Sequence, residues 1–248
     1  MPTKAVRLIT ASGKKMITSS MKKRYAIIVA GGTGTRMGSE MPKQFHNLNG
    51  KPILMHTIEQ FNNATSKPSI IVVLHRLMEN TWRELCEVYN FKVPHRVTFG
   101  GDSRFQSVKN GLQEIQKIEL NKMEDVYIAI HDAARPLIKG RLIDTCYTTT
   151  ERVGATVLAV TSVNSIRKGT TESNEMVDRN IVWQVQTPQT FRGDLLSDAF
   201  EQHESVQFTD DASVVEKLGY PIYLIPGDRK NIKITYPEDI QIAQLFLS

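Results

Sequence analysis

A short glycine-rich loop at residues 30–34 carries the strongest chemical signal in the chain. It follows the apolar run 25–29, which is short enough to be a buried parallel strand. Glycine lets a backbone approach a ligand closely and turn its N–H groups toward phosphate oxygens. Arg36 and Lys43 add two cations just beyond the loop. A strand, a glycine loop and two cations predict a site for a nucleoside triphosphate.

Two commoner glycine motifs do not fit this loop. A P-loop requires Lys followed by Ser or Thr after its last glycine, and neither Gly34 nor Gly38 is followed in that way. The dinucleotide fingerprint G-x-G-x-x-G fails because Met37 stands at its third glycine position. A glycine turn that binds no ligand stays the alternative.

A second candidate, His131-Asp132-Ala133-Ala134-Arg135-Pro136, follows the apolar run 126–130. Ligands of open α/β sheets bind beyond the carboxyl ends of the strands. Asp132 could hold Mg²⁺ and Arg135 could bind a phosphate, or the two could form a salt bridge within a simple loop. We interpret His131 as a packed loop histidine and not as a catalytic base.

Several weaker polar signals lie elsewhere in the chain. Lys233 stands between Ile232 and Ile234, so its side chain points away from the face on which they pack; it is either functional or solvated. Arg179 taken alone is a surface charge. Residues 100–102 and Ser107 could contact a base or ribose, or could merely turn the chain.

Composition sets the class of protein. A chain of 248 residues with 40% hydrophobic and 23% charged residues is typical of a globular protein, and no apolar run reaches the roughly 18 residues that cross a bilayer. Cys86 and Cys146 lack C-x-x-C spacing. This argues against a disulfide framework or zinc site and predicts a cytoplasmic protein without a membrane partner.

The positive charge of the chain is concentrated at its start. Residues 1–24 contain seven Lys or Arg and no acid, so removing them from the net charge of +5 leaves −2 for the rest. The charge therefore predicts no nucleic-acid partner. We expect 1–20 to be a disordered leader, with Met21 as an alternative start and a short organellar presequence as the other possibility, and 21–248 to be a single domain.

The remaining pattern alternates strand and helix, which predicts an α/β fold with a mostly parallel sheet flanked by helices. Residues 161–183 break the alternation and indicate an inserted β-arm whose apolar side chains dock on another subunit; a long loop lying on its own domain is the alternative. The predicted strands are 25–29, 69–74, 96–99, 126–130, 155–160, 222–225 and 232–235, and the predicted helices are 52–58, 78–90, 104–118, 139–152, 193–203, 209–218 and one from Pro237.

Together these segments resemble the 2-C-methyl-D-erythritol 4-phosphate cytidylyltransferase family, in register from about residue 24 to the end. The likeness implies a Rossmann-like nucleotidyltransferase fold, a homodimer joined by the β-arm, and CMP transfer from CTP to 2-C-methyl-D-erythritol 4-phosphate with Mg²⁺ as cofactor, in the non-mevalonate isoprenoid pathway. It rests on AGGTGTRM at 30–37, PKQ at 42–44, GGD at 100–102, HDAARP at 131–136, VDRN at 177–180, QTPQ at 186–189, TDDA at 209–212 and NIKIT at 231–235.

The resemblance also implies roles for single residues. Arg36 and Lys43 match the pair that stabilises the pentavalent phosphorus, and Arg179 and Lys233 match the pair that positions the substrate phosphate. The other matched positions form the nucleotide pocket (Ala30, Gly31, Gly32, Thr33, Gly34, Gly101, Asp102 and Ser107) and the surroundings of the polyol phosphate (Asp132, Arg135, Ser165 and Thr209), with Asp132 also the expected metal ligand.

The chain departs from this family at three positions. Gly31 stands where the family usually has Ala, Ser165 where it usually has Thr, and Asn164 where it usually has Asp. The sequence Ala-Gly-Gly at 30–32 is more like that of ribitol-5-phosphate cytidylyltransferases, although those proteins tend to have Val at the position of Ala134. Ribitol-5-phosphate cytidylyltransferase is therefore the alternative function, and a catalytically silent nucleotide-binding protein is a third, which the two cation pairs disfavour.

Overall fold

The computed structural model describes residues 22–32 and 41–247. The predictions for 1–20, Thr33, Gly34 and Arg36 lie outside the described residues. Within them the strands are β1 (Lys23–Ala30), β2 (Asn47–Leu48), β3 (Lys51–Pro52), β4 (Ser69–Leu74), β5 (Arg96–Phe99), β6 (Val126–Asp132), β7 (Ala155–Thr161), β8 (Ile166–Gly169), β9 (Asn174–Val177), β10 (Trp183–Arg192) and β11 (Tyr223–Pro226). The α-helices are α1 (Ile53–Asn63), α2 (Glu79–Val88), α3 (Arg104–Ile118), α4 (Gly140–Val153), α5 (Gly193–Phe200), α6 (Asp211–Glu216) and α7 (Pro237–Leu247).

The central sheet has seven strands in the order β11-β7-β10-β6-β1-β4-β5. Of these seven, only β10 runs antiparallel to its neighbours, β6 and β7. The predicted mostly parallel sheet flanked by helices is confirmed. Because the other strands run the same way, the chain leaves β1, β5 and β6 at one edge, where parallel sheets bind ligands.

The apolar run of β1 is explained by burial on both faces of the sheet. Ala26 and Ile28 pack in a core layer with residues of α1 and α4. Tyr25 and Ile27 point to the opposite layer, formed with α3, α5 and α6. Gly111 lets α3 approach closely, since an added Cβ there would lie 2.9 Å from Ile27 Cγ2. Packing on both faces therefore holds the sheet, and with it the loops at the carboxyl ends of its strands, in place.

Residues 232–235, predicted as a strand, form a loop, so that prediction is wrong. The Ile234 N–H donates to the Ala134 carbonyl at 2.9 Å, so the segment bonds to a loop and not to a sheet strand. The predicted alternation of sides is correct. Ile234 is buried in a small cluster with Leu48 and Ala134, while Lys233 points to Asp132.

The hairpin predicted within 161–183 is present but shorter than expected. β8 and β9 pair antiparallel as a separate two-stranded sheet. Trp183 instead opens β10, where it pairs with Thr161 of the main sheet. Within the described part of the chain, no helix is both long and apolar enough to cross a bilayer.

Candidate active site

Three strand ends of the sheet open onto one cleft of about 390 Å³. The chain leaves β1 at Ala30 and β6 at Asp132, and the loop 100–103 follows β5. These ends come from distant parts of the sequence and meet because their strands are parallel. Of the predicted site residues, the cleft is lined by Ala30, Gly31, Gly32, Lys43, Gly101, Asp102, Ser107, Asp132 and Lys233.

A buried glutamine ties the turn that carries Lys43 to the glycine loop. Gln44 lies in the short 3-10 turn Lys43–Phe45. Its side-chain amide donates to the Ala30 carbonyl at 2.7 Å and to the Gly32 carbonyl at 3.3 Å. The same turn is anchored behind by Phe45, which stacks on Trp82 with ring centroids 6.1 Å apart. Lys43 is therefore held beside the glycine backbone.

The loop after β5 forms the opposite wall of the cleft. Ser103 caps α3 by accepting from the Gln106 N–H, and the Gly101 N–H donates to Ser107 Oγ at 3.2 Å. A Cβ at Gly101 would lie 2.7 Å from Gln106 Cβ, which leaves no room for a side chain. Ser107, which lines the cleft, therefore holds this loop in place through the Gly101 N–H.

The buried Asp132 carboxylate gathers three cations. Arg104 Nη1 donates to its Oδ1 at 2.7 Å. Lys233 Nζ lies 2.9 Å and Arg135 Nε 3.4 Å from its Oδ2. Burial alone would raise the pKa of Asp132, but the charges of these cations outweigh it and hold the pKa well below the usual range. The salt bridge proposed as the alternative for Asp132 and Arg135 exists, as one part of a larger cluster.

Arg104 is the site residue that sequence reasoning missed. Its second guanidinium nitrogen donates to Asp211 Oδ2 at 2.6 Å, so it bridges two carboxylates from separate segments. Burial raises the pKa of Asp211 despite this contact. The available signal was its place as the first residue of a helix directly after Gly-Gly-Asp-Ser. No neighbouring sequence motif indicated that its partners would be Asp132 and Asp211.

A second cavity of about 300 Å³ lies on the other side of this cluster. It shares Arg104, Asp132 and Lys233 with the cleft, and adds Arg135 and Thr209. Thr209 lies just before α6, whose cap is Asp210. The cluster is therefore a common wall between a glycine-lined cleft and a small polar pocket.

The remaining predicted residues, Arg179 and Ser165, are not brought to this wall within one chain. Both line a cavity of about 400 Å³ on the hairpin. The Arg179 guanidinium donates to the Val163 carbonyl at 3.0 Å. Any contribution of these residues to the cleft must come from another copy of the chain or from movement of the hairpin.

A family model and several curated relatives match this chain over most of its length. The family model of 2-C-methyl-D-erythritol 4-phosphate cytidylyltransferase matches residues 25–248. The enzyme of that name from Bacteroides fragilis is 45% identical over 224 residues, covering 90% of this chain and 99% of its own. The Porphyromonas gingivalis enzyme is 44% identical over 228 residues, covering 92% of this chain and 99% of its own.

Solved structures show the same likeness. The Francisella tularensis cytidylyltransferase superposes with a TM-score of 0.73 at 30% identity, covering 90% of this chain and 99% of that one. The Thermus thermophilus enzyme gives a TM-score of 0.70 at 27% identity, covering 91% of this chain and 98% of that one.

A mostly parallel sheet with a glycine loop and a cation cluster at its carboxyl edge, found in a chain that superposes on solved cytidylyltransferases, identifies a nucleotidyltransferase. The matches narrow that class to a cytidylyltransferase, and they do not favour the ribitol alternative. The chain belongs to the 2-C-methyl-D-erythritol 4-phosphate cytidylyltransferase family. The predicted family, fold and enzyme class are confirmed.

Proposed function

We propose that this protein transfers CMP from CTP to 2-C-methyl-D-erythritol 4-phosphate and releases pyrophosphate, as a homodimer in the cytoplasm. The observation that carries the proposal is the shared wall between two cavities, with Lys43 and Lys233 lining the larger one. The free thiols Cys86 and Cys146 are in keeping with a reducing compartment.

CTP occupies the glycine-lined cleft. The backbone of Gly31 and Gly32 meets the triphosphate with no Cβ in the way, and the loop at Gly101 faces the nucleoside. Asp102 and Ser107 offer a carboxylate and a hydroxyl to ribose and base. This arrangement leaves the α-phosphorus near Lys43 and the cluster at Asp132.

The polyol phosphate enters from the smaller pocket. Arg135 and Lys233 supply the charge that attracts its phosphate, and Thr209 offers a hydroxyl to the polyol. Its phosphate oxygen then faces the α-phosphorus of CTP across the shared wall. A phosphate anion is already a nucleophile, so the step needs no strong general base.

The physical obstacle to the reaction is repulsion between two anions. Two unit charges about 4 Å apart repel by about 4 kcal/mol at an effective dielectric constant of 20. Lys43 and Lys233 oppose this repulsion where charge develops on the phosphorus, with Arg36 assigned the same role by resemblance. Catalysis is therefore mostly positioning and charge stabilisation.

Asp132 is the residue that would hold Mg²⁺. Mg²⁺ bound with phosphates typically takes only one or two protein carboxylates. Asp132 is one of two carboxylates that line the cleft, with Asp102 as the other. The oxygens of Asp132 would be shared between the ion and the cations that now contact them, Arg104, Arg135 and Lys233. When bound, the ion would neutralise charge on the triphosphate.

The hairpin supports the homodimer. Met176 on the hairpin and Ile181 just after it are each 73% exposed, and Val163 just before it has more than half of its surface open. A two-stranded hairpin is marginal alone and needs a packing partner. We therefore place Arg179 and Ser165 at the active site of the partner subunit.

Pyrophosphate release tests the function directly. The protein is incubated with CTP, Mg²⁺ and either 2-C-methyl-D-erythritol 4-phosphate or ribitol 5-phosphate, with a chelator in parallel. We expect release with the first acceptor and its loss with the chelator. Release with ribitol 5-phosphate alone overturns the assignment, and no release with either favours the silent protein.

Changing Arg179 to Ala should weaken binding of the polyol phosphate more than that of CTP. Losing hydrogen bonds to a charged group costs about 1.5–3 kcal/mol, so KM for the polyol phosphate should rise roughly 10- to 100-fold. Steady-state kinetics with each substrate varied in turn measures this. The matched control is Arg167→Ala. Arg167 lies on the same exposed hairpin, bonds to Asn174 and does not line the cavity that Arg179 lines.

Mixing subunits tests whether Arg179 acts across the dimer. Arg179→Ala and Lys43→Met subunits are each poorly active alone. In a mixed dimer one site would receive both normal residues, so random mixing should restore up to about a quarter of the sites. No recovery after mixing contradicts a site shared between subunits.

A further inference from the structure

His131 is fully buried at the end of β6, yet both ring nitrogens have polar partners. Its Nε2 lies 3.1 Å from the Arg135 carbonyl oxygen, and its Nδ1 lies 3.0 Å from Thr187 Oγ1. Both partners, a carbonyl and a hydroxyl, are uncharged, and the ring has no contact with solvent. A ring enclosed in this way is neutral and acts on no substrate atom itself.

The partners fix the direction of every hydrogen bond around this ring. A carbonyl oxygen only accepts, so the proton of His131 must sit on Nε2 and leave Nδ1 as an acceptor. The Thr187 hydroxyl then donates to Nδ1. The same hydroxyl oxygen accepts from the Asp132 N–H at 3.1 Å. One chain of bonds therefore runs from Asp132 through Thr187 and His131 to the backbone of Arg135.

This chain of bonds also reaches the loop that carries Lys233. Asn231, fully buried, donates from its amide to the Thr187 carbonyl at 2.9 Å. The Asn231 carbonyl in turn accepts from Arg135 Nη1 at 2.8 Å. Because β10 runs antiparallel to β6, the segment at Thr187 meets the carboxyl end of β6. Thr187 thus stands where three segments of the site join.

We propose that His131 and Thr187 are positioning residues, which hold the Asp132 and Arg135 backbone so that the carboxylate gathers its cations at the shared wall. The inference rests on the proposed function. His131 lines neither cavity, and Thr187 lines the smaller one with its hydroxyl already bonded to His131 and to the Asp132 N–H. Their loss tilts Asp132 and moves Arg135 and Lys233 relative to the reacting phosphorus, and small misplacements of this kind slow a reaction that depends on geometry.

A pair of changes at Thr187 tests the proposal. Thr187→Val keeps the shape and removes the hydroxyl, whereas Thr187→Ser keeps the hydroxyl. We expect kcat of the Val variant to fall roughly 10- to 100-fold while KM for CTP stays within about twofold, and the Ser variant to recover most of the loss. Thr190→Val, a buried threonine on the same strand that is bonded to neither His131 nor Asp132, should keep normal turnover.

Thermal unfolding of each variant shows whether a loss of activity is only a loss of folded protein. If Thr187→Val does not fold, the comparison moves to His131→Asn, whose amide oxygen can still accept from Thr187, against His131→Leu, which cannot. Higher turnover of the Asn variant supports the proposal. Equal turnover of Val and Ser variants, or of Asn and Leu variants, overturns it.

The tautomer gives a readout that does not depend on activity. ¹⁵N NMR of the wild-type protein should show His131 protonated at Nε2 and unprotonated at Nδ1. The opposite tautomer overturns the inference even in an active enzyme. Absence of turnover in the wild-type protein instead overturns the proposed function, so the two failures are distinguished.

Discussion

Replacing Lys43 with Met should lower kcat roughly 100- to 1000-fold, the usual loss when one group that stabilises developing charge is removed. Lys43 lines the cleft at the glycine loop, where the repulsion between two phosphates must be opposed. The fold should survive. Gln44 ties the turn to the Ala30 carbonyl, and Phe45 stacks on Trp82 behind it. Pyrophosphate release under saturating CTP measures the change.

The control for this prediction is Lys122→Met, which removes the same charge from an exposed loop far from the cleft lining. It should leave kcat unchanged, and circular dichroism should be the same for both variants. Normal turnover of the Lys43 variant would remove its catalytic assignment. Arg36, which resemblance pairs with Lys43, should show a comparable loss when changed to Ala.

The part of the fold that the sequence predicted well is the part set by burial. The central parts of β1 (25–29) and β4 (70–74) are apolar because both faces of the sheet are covered. That pattern can be recognised in the sequence without knowing which strands lie beside them. The side on which Lys233 lies was also predictable, because Ile232 and Ile234 fix the alternation. The strand assignment of 232–235 failed because alternation alone does not show whether a neighbouring strand is present.

Site residues could be predicted where they belong to a continuous motif. They could not be predicted where their role depends on contacts with residues distant in the chain. Residues 30–32 could be recognised as part of a site because glycines follow an apolar run, and residues 131–136 because charged residues follow one. The bridge made by Arg104 depends on Asp132 and on Asp211, which is 107 residues further along the chain. No local pattern encodes that distance. The predicted roles of Arg179 and Ser165 depend in addition on a second subunit, and they stay predictions.

Replacing Asp132 with Asn should be damaging to both stability and turnover. The change leaves Arg104, Arg135 and Lys233 close together without the carboxylate that they share. Removing one partner of a buried ion pair costs about 3–5 kcal/mol; we expect about 3, because Lys233 is 40% exposed and solvent screens its share. Turnover should fall further than the folded fraction, since the proposed metal ligand is lost as well.

The pH dependence of this loss has a defined sign. The pKa of Asp132 is lower in the folded protein than in the unfolded chain, because the cations outweigh burial. Its stabilisation is therefore fully present above the unfolded pKa and disappears only as pH falls through the folded value. Urea unfolding should show a constant difference between wild type and Asp132→Asn from about pH 6 to pH 8. Asp125→Asn, at an exposed position just before the opposite end of β6, should show no comparable difference. A difference at Asp132 no larger than at Asp125 would mean that the cations repel one another little, and that the cluster does not depend on its carboxylate.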